Sequence, residues 1–400
     1  MRGRRRLLAN GVTRGRAAAG LHRPSTRSQP VSAGIILTQA AQSELLAQQV
    51  SAPTARDGSK DPAAAQGAPL TTPWLSIRRQ ARPIAVAAAT CLAVLLTIEI
   101  AFFRSGFFAT HVAISNPQTP LAKLALAERQ RDTRVLYVGD STMMTSVLPT
   151  VVSATCECGP GFNGGFSAAN PWLTRAMTER LLGVMHPRLV VISVSPWTVD
   201  AHARFQDSDL DLARQLMSPA EMAALGASVD IEDRVDAALG SLWSGYGQRL
   251  LLKEWFSALA PGQRYDESLL GYWVAPGSAN SYSRVVAATS RLFADVGEAD
   301  PSAAGATVVT SLVEDLRARG IRTVFMLPPL HPAAYELAGP YLQAADVAIR
   351  DIATREAVPI VDCRSVVDAT DFRDATHILP EAVDRYSRCV GEELRALASD

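Results

Sequence analysis

Three residues of this sequence have side chains and a spacing that nucleophilic chemistry could use. Ser141 ends a Gly-Asp-Ser tripeptide that follows the apolar run RVLYVG, residues 134–139. Serine is a weak nucleophile and needs a base, usually an imidazole held by a carboxylate. Asp374 and His377 are three residues apart, a spacing that lets their side chains meet in a turn or at a helix start. We therefore expect Ser141 to be the nucleophile, His377 its base and Asp374 the residue that orients the imidazole.

The tripeptide alone leaves the role of Ser141 open. Gly, Asp and Ser are ordinary turn formers, so Ser141 could equally cap a helix. Asp140 is expected to support the turn rather than to take part in the chemistry. Only a fold that brings residue 377 to residue 141 would give the imidazole a serine to activate.

Five short apolar runs are expected to form the sheet that positions these residues. Each run is continuously apolar rather than alternating, which is typical of parallel strands covered on both faces. The runs cover residues 134–139, about 161–165, 188–195, 321–327 and 358–362. Helical patterns fill the gaps, and a helical stretch at about 200–305 separates the third strand from the fourth. The sequence therefore predicts an α/β fold: an open, mostly parallel sheet flanked by helices, with a helical insertion between strands three and four.

Three further segments should reach the carboxyl edge of the sheet, where open parallel sheets bind their ligands. They are FNGGF at 162–166, SPW at 195–197 and PPLHP at 328–332. The residues expected to bind the substrate or its oxyanion are Asn163, Gly164, Trp197 and His331. The N–H of Gly165 could replace that of Gly164, and His202 could line the cleft with Trp197. For His331 the alternative is a packing role in its loop.

An apolar stretch divides the chain into two parts of opposite charge. Residues 1–82 contain 13 Lys and Arg but only three Asp and Glu, whereas the formal net charge of the whole chain is zero. Residues 83–103 contain one charged residue, Glu99, and are long enough to cross a bilayer as a helix. Arginines directly before this stretch favour a cytoplasmic N-terminus. Glu99, in the outer turn of the span, is expected to reach headgroup water.

These features predict a single-pass protein of the plasma (inner) membrane. Its expected parts are a basic, mostly disordered cytoplasmic tail at 1–82, a transmembrane helix at 83–103, a linker at 104–130 and an extracytoplasmic domain at 131–400. The alternative for the apolar stretch is a buried core helix.

The cysteines are consistent with an extracytoplasmic domain, because disulfides persist outside the cytoplasm. Cys363 ends the last predicted strand and Cys389 lies in the last predicted helix, so we expect a disulfide between them. Cys156 and Cys158 are too close together for a usual zinc knuckle, and no His lies at ligand spacing from them. No metal site is expected.

The blocks VGDS, residues 138–141, and DATH, residues 374–377, resemble the first and last blocks of the SGNH (GDSL) hydrolase superfamily. FNGGF resembles the second block, whose glycine N–H contributes to an oxyanion hole. The third block departs from the family pattern, since Gly-x-Asn is common there and this chain has SVSPWTVD. The resemblance covers about 130–398 without the insertion. It implies an SGNH, flavodoxin-like fold and a triad of Ser141, His377 and Asp374.

The apolar stretch and the SPW variation are similar to a membrane-anchored subset of this superfamily. That subset includes the D-alanine transfer protein of teichoic acid synthesis and the alginate O-acetylation proteins. The resemblance implies an extracytoplasmic serine esterase or O-acyltransferase acting on a cell-envelope glycan or glycolipid. It also implies an acyl ester donor, a glycan acceptor and a multi-span membrane acyltransferase as partner, with no metal or organic cofactor.

A non-catalytic scaffold is the rival interpretation. In it an SGNH-like domain would dock a membrane acyltransferase or a polysaccharide without reacting with either. The missing third-block Asn favours the scaffold, whereas the intact set of Ser141, Asp374 and His377 favours an enzyme. Nucleic acid is not expected as a partner, because the part of the chain beyond the span is acidic.

Overall fold

Five parallel strands form one sheet in the computed structural model, which describes residues 73–226, 229–274, 280–294 and 296–399. The strands are β1 Val135–Val138, β2 Gly161–Asn163, β3 Leu189–Ser193, β4 Arg322–Met326 and β5 Ile360–Val361. Their order across the sheet is β2-β1-β3-β4-β5, and every neighbouring pair is parallel. The five predicted strands and the predicted α/β fold are confirmed.

Helices surround the sheet and form the insertion. Before the insertion they are α1 Pro73–Ile98, α2 Phe107–His111, α3 Pro120–Ala127, α4 Ser141–Ser146, α5 Pro149–Cys156 and α6 Pro171–Leu182. The insertion contains α7 Leu210–Leu216, α8 Pro219–Ala224, α9 Ile231–Leu242, α10 Ser244–Gly247, α11 Arg249–Ala258 and α12 Tyr282–Leu292. After it come α13 Ala304–Ala318, α14 Pro332–Arg355 and α15 Pro380–Ser399. The predicted helical insertion between β3 and β4 is therefore confirmed.

Local sequence signals set several helix ends. Asn170 caps α6, because its Oδ1 accepts the N–H of Leu173 at 2.9 Å, and Pro171 follows at the first helical position, where proline is favoured. Ser218 opens α8 with a reciprocal capping box, in which Glu221 bonds back to the Ser218 N–H. Gly320 follows α13 with φ +70°, the left-handed conformation common after helix ends.

The two faces of the sheet carry separate hydrophobic cores, because successive strand side chains point in opposite directions. Leu136 and Val138 of β1 lie in one core, with residues from α3, α6 and α13. Val135 and Tyr137 lie in the other core, with residues from α5 and α15. Both faces are thus covered, which explains why the strands are continuously apolar.

Residues 104–130, predicted as a linker, belong instead to the folded domain. Phe108, Val112, Ile114 and Leu126 are buried in the larger core. A linker would leave these apolar side chains in water, whereas here they cover one face of the sheet. Residues 1–72, which contain most of the predicted tail, lie outside the described residues.

The predicted span is a helix in the structure. The segment Pro83–Arg104, which comprises the second part of α1 and a π-helical turn at Glu99–Arg104, is long and apolar enough to cross a membrane. Only 6% of the apolar stretch in this segment is buried, so it is not a core helix of the described domain. Glu99 does not reach water as expected. Its side chain accepts the N–H groups of Ser244 at 2.6 Å and Gly245 at 3.1 Å.

A disulfide joins Cys363 and Cys389, with 5.9 Å between their Cα atoms, and confirms the predicted pair. The bridge closes a loop that contains both Asp374 and His377. A second disulfide joins Cys156 and Cys158. The first bridge therefore restrains the segment that carries the predicted acid and base.

We expect Cys389→Ser to lower the free energy of unfolding by about 3 kcal/mol, because the open loop gains conformational entropy in the unfolded chain. Urea unfolding of the full chain in detergent, followed by circular dichroism, measures the change. Cys91→Ser is the control, since Cys91 is an exposed free thiol. An unchanged unfolding midpoint in Cys389→Ser would contradict a stabilising bridge.

Candidate active site

Ser141 is placed at the carboxyl end of β1 by a tight turn into α4. A Cβ at Gly139 would lie 2.6 Å from the Cβ of Ser193 on β3, so only glycine fits where the chain leaves the strand. Asp140 then caps α4, because its Oδ1 accepts the N–H of Thr142 at 2.9 Å. Burial raises the pKa of Asp140. Asp140 thus has the structural role that the sequence predicted.

Ser141, His377 and Asp374 form a continuous hydrogen-bonded chain. The Nε2 of His377 lies 2.8 Å from the Oγ of Ser141. The Nδ1 of His377 lies 2.8 Å from Oδ1 and 3.0 Å from Oδ2 of Asp374. This is the arrangement in which a carboxylate orients an imidazole that can take a proton from serine. The fold has brought together residues that are 236 positions apart in the chain.

A short antiparallel turn holds the acid and the base in place. Phe372 and Ile378 form a β-bridge around it, and the N–H of Arg373 donates to the His377 carbonyl at 2.9 Å. Both bridge residues are buried, at 2% and 1% exposed. Asp374 and His377 therefore protrude from a turn whose base is fixed in the core.

Asp374 is kept ionised by its neighbours. Burial alone would raise its pKa, but the hydrogen bond and charge of His377 and the N–H groups of Thr376 and His377 together hold the pKa well below its usual range. Those N–H groups donate to Oδ1 at 3.1 and 3.0 Å. Asp374 is thus a carboxylate at any pH where the imidazole can act as a base.

Sequence reasoning missed two residues that also hold Asp374. The guanidinium of Arg373 donates to Oδ2 through Nε at 3.3 Å and Nη2 at 3.1 Å. Thr376 contributes its N–H to Asp374, and its hydroxyl lies 3.3 Å from His377 Nδ1. A basic residue directly before the acid, in FRDATH, was the available signal.

The predicted oxyanion role of Gly164 does not fit the structure. Its N–H donates to the Tyr137 carbonyl at 2.8 Å, and the N–H of Gly165 donates to Oδ1 of Asn163 at 3.0 Å. Both hydrogens are therefore already in use. By contrast, the N–H of Ser141, in the first turn of α4, donates to none of the described residues and is available to an oxyanion.

Asn163 is likewise a structural residue and not an oxyanion donor. Its side chain is completely buried, and its amide nitrogen donates to the carbonyls of Met143 and Val147, both at 2.8 Å. These carbonyls belong to the end of α4. Asn163 therefore clamps α4, the helix that carries Ser141, to the loop after β2.

Trp197 lines a small polar cavity beside the turn that carries Ser141. Asp140, Ser193 and Ser195 also line this cavity. Its volume is about 10 Å³, which is about the room that one water molecule needs. Ser193 Oγ is buried and has no hydrogen-bond partner in the described part of the chain. Ser195 stands in the third block, where the resembled family often has Asn, and its Oγ lies 3.4 Å from that of Thr198. Polar atoms thus line this cavity even though the Asn is missing.

His331 is a buried helix cap rather than a substrate contact. Only 3% exposed, it accepts the Ala333 N–H on Nδ1 at 3.0 Å and begins α14. Its N–H donates to the Ala375 carbonyl at 3.0 Å, and its ring meets that of Phe372 edge to face. His331 therefore supports the turn that carries Asp374 and His377. Burial lowers its pKa, so the ring is neutral near pH 7.

The end of the insertion packs directly against the site. The Leu270 carbonyl accepts the Asn163 N–H at 2.8 Å, and the Trp273 N–H donates to the Met144 carbonyl in α4 at 3.2 Å. Tyr265 and Tyr272 are buried here, so they pack the domain and offer no stacking surface. His202, the other predicted cleft residue, is exposed, and its N–H donates to Asp200 at 2.8 Å.

A completely buried lysine, which sequence reasoning overlooked, links the insertion to the site. The Nζ of Lys123 donates to the carbonyls of Asn163, at 2.9 Å, and Gly271. Burial lowers its pKa well below the usual value. The lone charge in the apolar run PLAKLALA was the signal for it. Lys123 thus holds β2, and through it α4, against the insertion.

We expect the free energy of unfolding to rise with pH over the range between the pKa of Lys123 in the folded protein and its higher pKa in the unfolded chain. Because its folded pKa is lowered, the unfolded chain binds more protons up to about pH 10, so raising the pH favours the folded state. Lys123→Met should remove this dependence. Comparing the guanidinium unfolding midpoints of the two proteins at neutral and alkaline pH is the test. A difference between them that does not change with pH would contradict it.

The geometry can support covalent acyl chemistry. Ser141 Oγ is half-buried at the carboxyl edge of the sheet, with a base in contact and an unused backbone N–H beside it. No group of three or more His, Cys, Asp and Glu side chains in the described ranges is arranged to hold a metal ion.

Comparison with known proteins gives distant structural likeness only. No family model and no curated protein matches this chain. Among solved structures, a protein assigned to the G-D-S-L lipolytic family from Desulfitobacterium hafniense DCB-2 is 11% identical, with 65% of this chain and 98% of that chain covered and a TM-score of 0.32. A carbohydrate acetylesterase from Sinorhizobium meliloti is 12% identical, with 66% and 100% covered and a TM-score of 0.31. The aryl esterase of M. smegmatis is 14% identical, with 67% and 98% covered and a TM-score of 0.29. Because these TM-scores are low, the fold of this chain is established by its own sheet, and its site by the contacts between its own residues.

Proposed function

We propose that this protein is an extracytoplasmic serine esterase or O-acyltransferase acting on acyl esters of a cell-envelope glycan or glycolipid. The observation that carries the proposal is the hydrogen-bonded chain from Ser141 Oγ through His377 to Asp374. A serine that served only as a helix cap would need neither the imidazole at 2.8 Å nor the carboxylate behind it.

The reaction would proceed in two half-reactions. Ser141 Oγ attacks the acyl carbonyl carbon while its proton passes to His377 Nε2, and the carbonyl oxygen becomes an oxyanion facing the Ser141 N–H. The ester C–O bond then breaks, and the leaving alcohol takes the proton from His377. Water or a sugar hydroxyl next gives a proton to His377 and attacks the carbonyl carbon of the acyl-serine. The bond from that carbon to Ser141 Oγ then breaks, and Oγ takes the proton back from His377.

The outer face of a membrane is the proposed location. Residues 1–82 are basic, the segment Pro83–Arg104 could span a bilayer, and the sequence beyond it is acidic. Two cystine bridges in the folded domain also favour an oxidising compartment. A reporter that works only after export, fused behind Asp400, should be active. Activity of a cytoplasm-only reporter at that position would contradict the proposed orientation.

Transfer and hydrolysis differ only in what attacks the acyl-serine. Orientation of a bound acceptor is worth roughly 7–11 kcal/mol of barrier, enough for a sugar hydroxyl to compete with water. The full chain in detergent is incubated with an acyl donor, with and without envelope oligosaccharides. Acylated sugar that depends on Ser141 supports transfer, whereas free acid at an unchanged rate and no acylated sugar supports a plain esterase.

A further inference from the structure

Helix α9, Ile231–Leu242, has its apolar side on the outside of the domain. Ile231, Val235, Leu239 and Leu242 recur at helical spacing and are 81%, 51%, 42% and 74% exposed. They form one stripe, because residues four apart and seven apart lie on the same side of a helix. A surface helix of a soluble domain normally turns such a stripe inwards, so this one calls for an occupant outside the chain.

The opposite, acidic side of α9 is fixed to the domain. Asp233 is buried, and its carboxylate accepts Arg214 Nε at 2.5 Å. Asp236 is bonded to the side chains of Tyr246 and Arg249. Turning the stripe inwards would break these ion pairs, because Asp233 and Asp236 would then be carried away from Arg214 and Arg249. The outward orientation is therefore held by the domain itself.

The stripe ends where the predicted span leaves the membrane. Arg104, the last residue of the candidate span, donates through Nη2 to the Leu242 carbonyl at 2.9 Å. Glu99 of the span accepts the N–H groups of Ser244 and Gly245, which directly follow α9. These bonds place the carboxyl end of α9 at the outer end of the apolar helix.

Aromatic rings cluster at the same level. Phe102 and Phe103 at the end of the candidate span contact Phe108, and the ring of Phe108 meets that of Trp255 edge to face. Phe107 beside them is 49% exposed. Phe103 and Phe108 are buried in the larger core, so the cluster fixes the outer end of the candidate span to the domain beside the carboxyl end of α9.

We propose that the α9 stripe, Ile231, Val235, Leu239 and Leu242, is inserted into the outer lipid–water interface of the membrane that the chain spans. The occupant is the bilayer, because the carboxyl end of the stripe is bonded to the outer end of the candidate span. A helix lying in the interface with its apolar side in lipid and its charged side towards protein and water is a stable arrangement. Two attachments, the span and the stripe, would then prevent the domain from rotating freely above the membrane. The inference rests on the membrane placement proposed above.

The test measures lipid contact at single labelled positions. The full chain, with Cys91→Ser to remove the free thiol, is reconstituted into phosphatidylcholine–phosphatidylglycerol vesicles. An environment-sensitive fluorophore is attached at Val235→Cys in the stripe, at Val94→Cys in the span, or at Glu392→Cys on the exposed side of α15. Each is measured without brominated lipid, with a lipid that carries bromine near the top of its acyl chain, and with one that carries bromine near the end of the chain.

We expect the label at 235 to be quenched by the bromine near the top of the acyl chain, the label at 94 by the bromine near its end, and the label at 392 by neither. Quenching at 94 but not at 235 overturns the interfacial stripe and leaves the membrane placement intact. A label at 235 that is shielded from water yet unquenched likewise overturns it, in favour of a protein covering the stripe. No quenching at 94 overturns the membrane placement itself, and this inference with it.

Discussion

Ser141→Ala is expected to abolish turnover of an activated acyl ester, with a loss in kcat on the order of 10⁶. Without Oγ no acyl-serine can form, and the imidazole of His377 has no hydroxyl to activate. The measurement is release of nitrophenol from short-chain nitrophenyl esters by the full chain in detergent. Mass spectrometry after a fluorophosphonate probe should find the adduct on Ser141 in the unaltered protein and no adduct in the variant.

A matched serine and a double variant make this result specific. Ser167→Ala should retain turnover, because Ser167 lies in the loop after β2 and its hydroxyl is bonded to Gln118 at 3.0 Å. His377→Ala should be as inactive as Ser141→Ala, and the double variant no worse than either, since the residues act as one unit. Full activity in Ser141→Ala would end the enzyme interpretation and favour the scaffold.

Asp374→Asn is expected to cost about 10⁴ in kcat. The amide can donate to Nδ1 and would then stabilise the imidazole tautomer whose proton sits on Nε2, the nitrogen that must accept a proton from Ser141. The neighbours of Asp374 hold its pKa below the usual range, so the carboxylate of the unaltered protein stays ionised above about pH 4. The loss should therefore persist at every pH where that protein is active.

The control for this variant is Asp368→Asn, which changes a carboxylate in the same disulfide-closed loop. Asp368 caps a short turn at Ala369–Asp371 and does not contact His377 in the described structure. The Asp368→Asn protein should keep most of the activity of the unaltered protein. The melting temperature of each variant separates loss of catalysis from loss of folding. An Asp374→Asn protein with unaltered kcat would show that the carboxylate does not orient the base.

Local pattern was sufficient to predict the strands, the meeting of Ser141 with His377 and Asp374, and one disulfide. Residues 135–138, 190–192 and 324–327 are apolar at every position because they are buried, so their burial can be predicted from residue type alone. Ser141 and His377 could be paired because few side chains can serve as nucleophile and base, and because parallel strands bring their carboxyl ends to one edge. Cys363 and Cys389 could be paired because both lie beyond the apolar stretch, at the ends of neighbouring elements.

Only the tertiary structure determined which hydrogen-bond partner each polar group has. Whether the N–H of Gly164 is available depends on the Tyr137 carbonyl of the adjacent strand, and whether Asn163 faces a substrate depends on the end of α4. The same holds for Glu99 and for α9, whose residue types predict exposure to water and a buried apolar stripe. The N–H groups of Ser244 and Gly245 reverse the first expectation, and the ion pair between Asp233 and Arg214 reverses the second. The burial of an apolar segment depends on the residue types of the whole segment, so it can be predicted from the sequence. A hydrogen bond joins two particular atoms, and only the folded chain brings those atoms together.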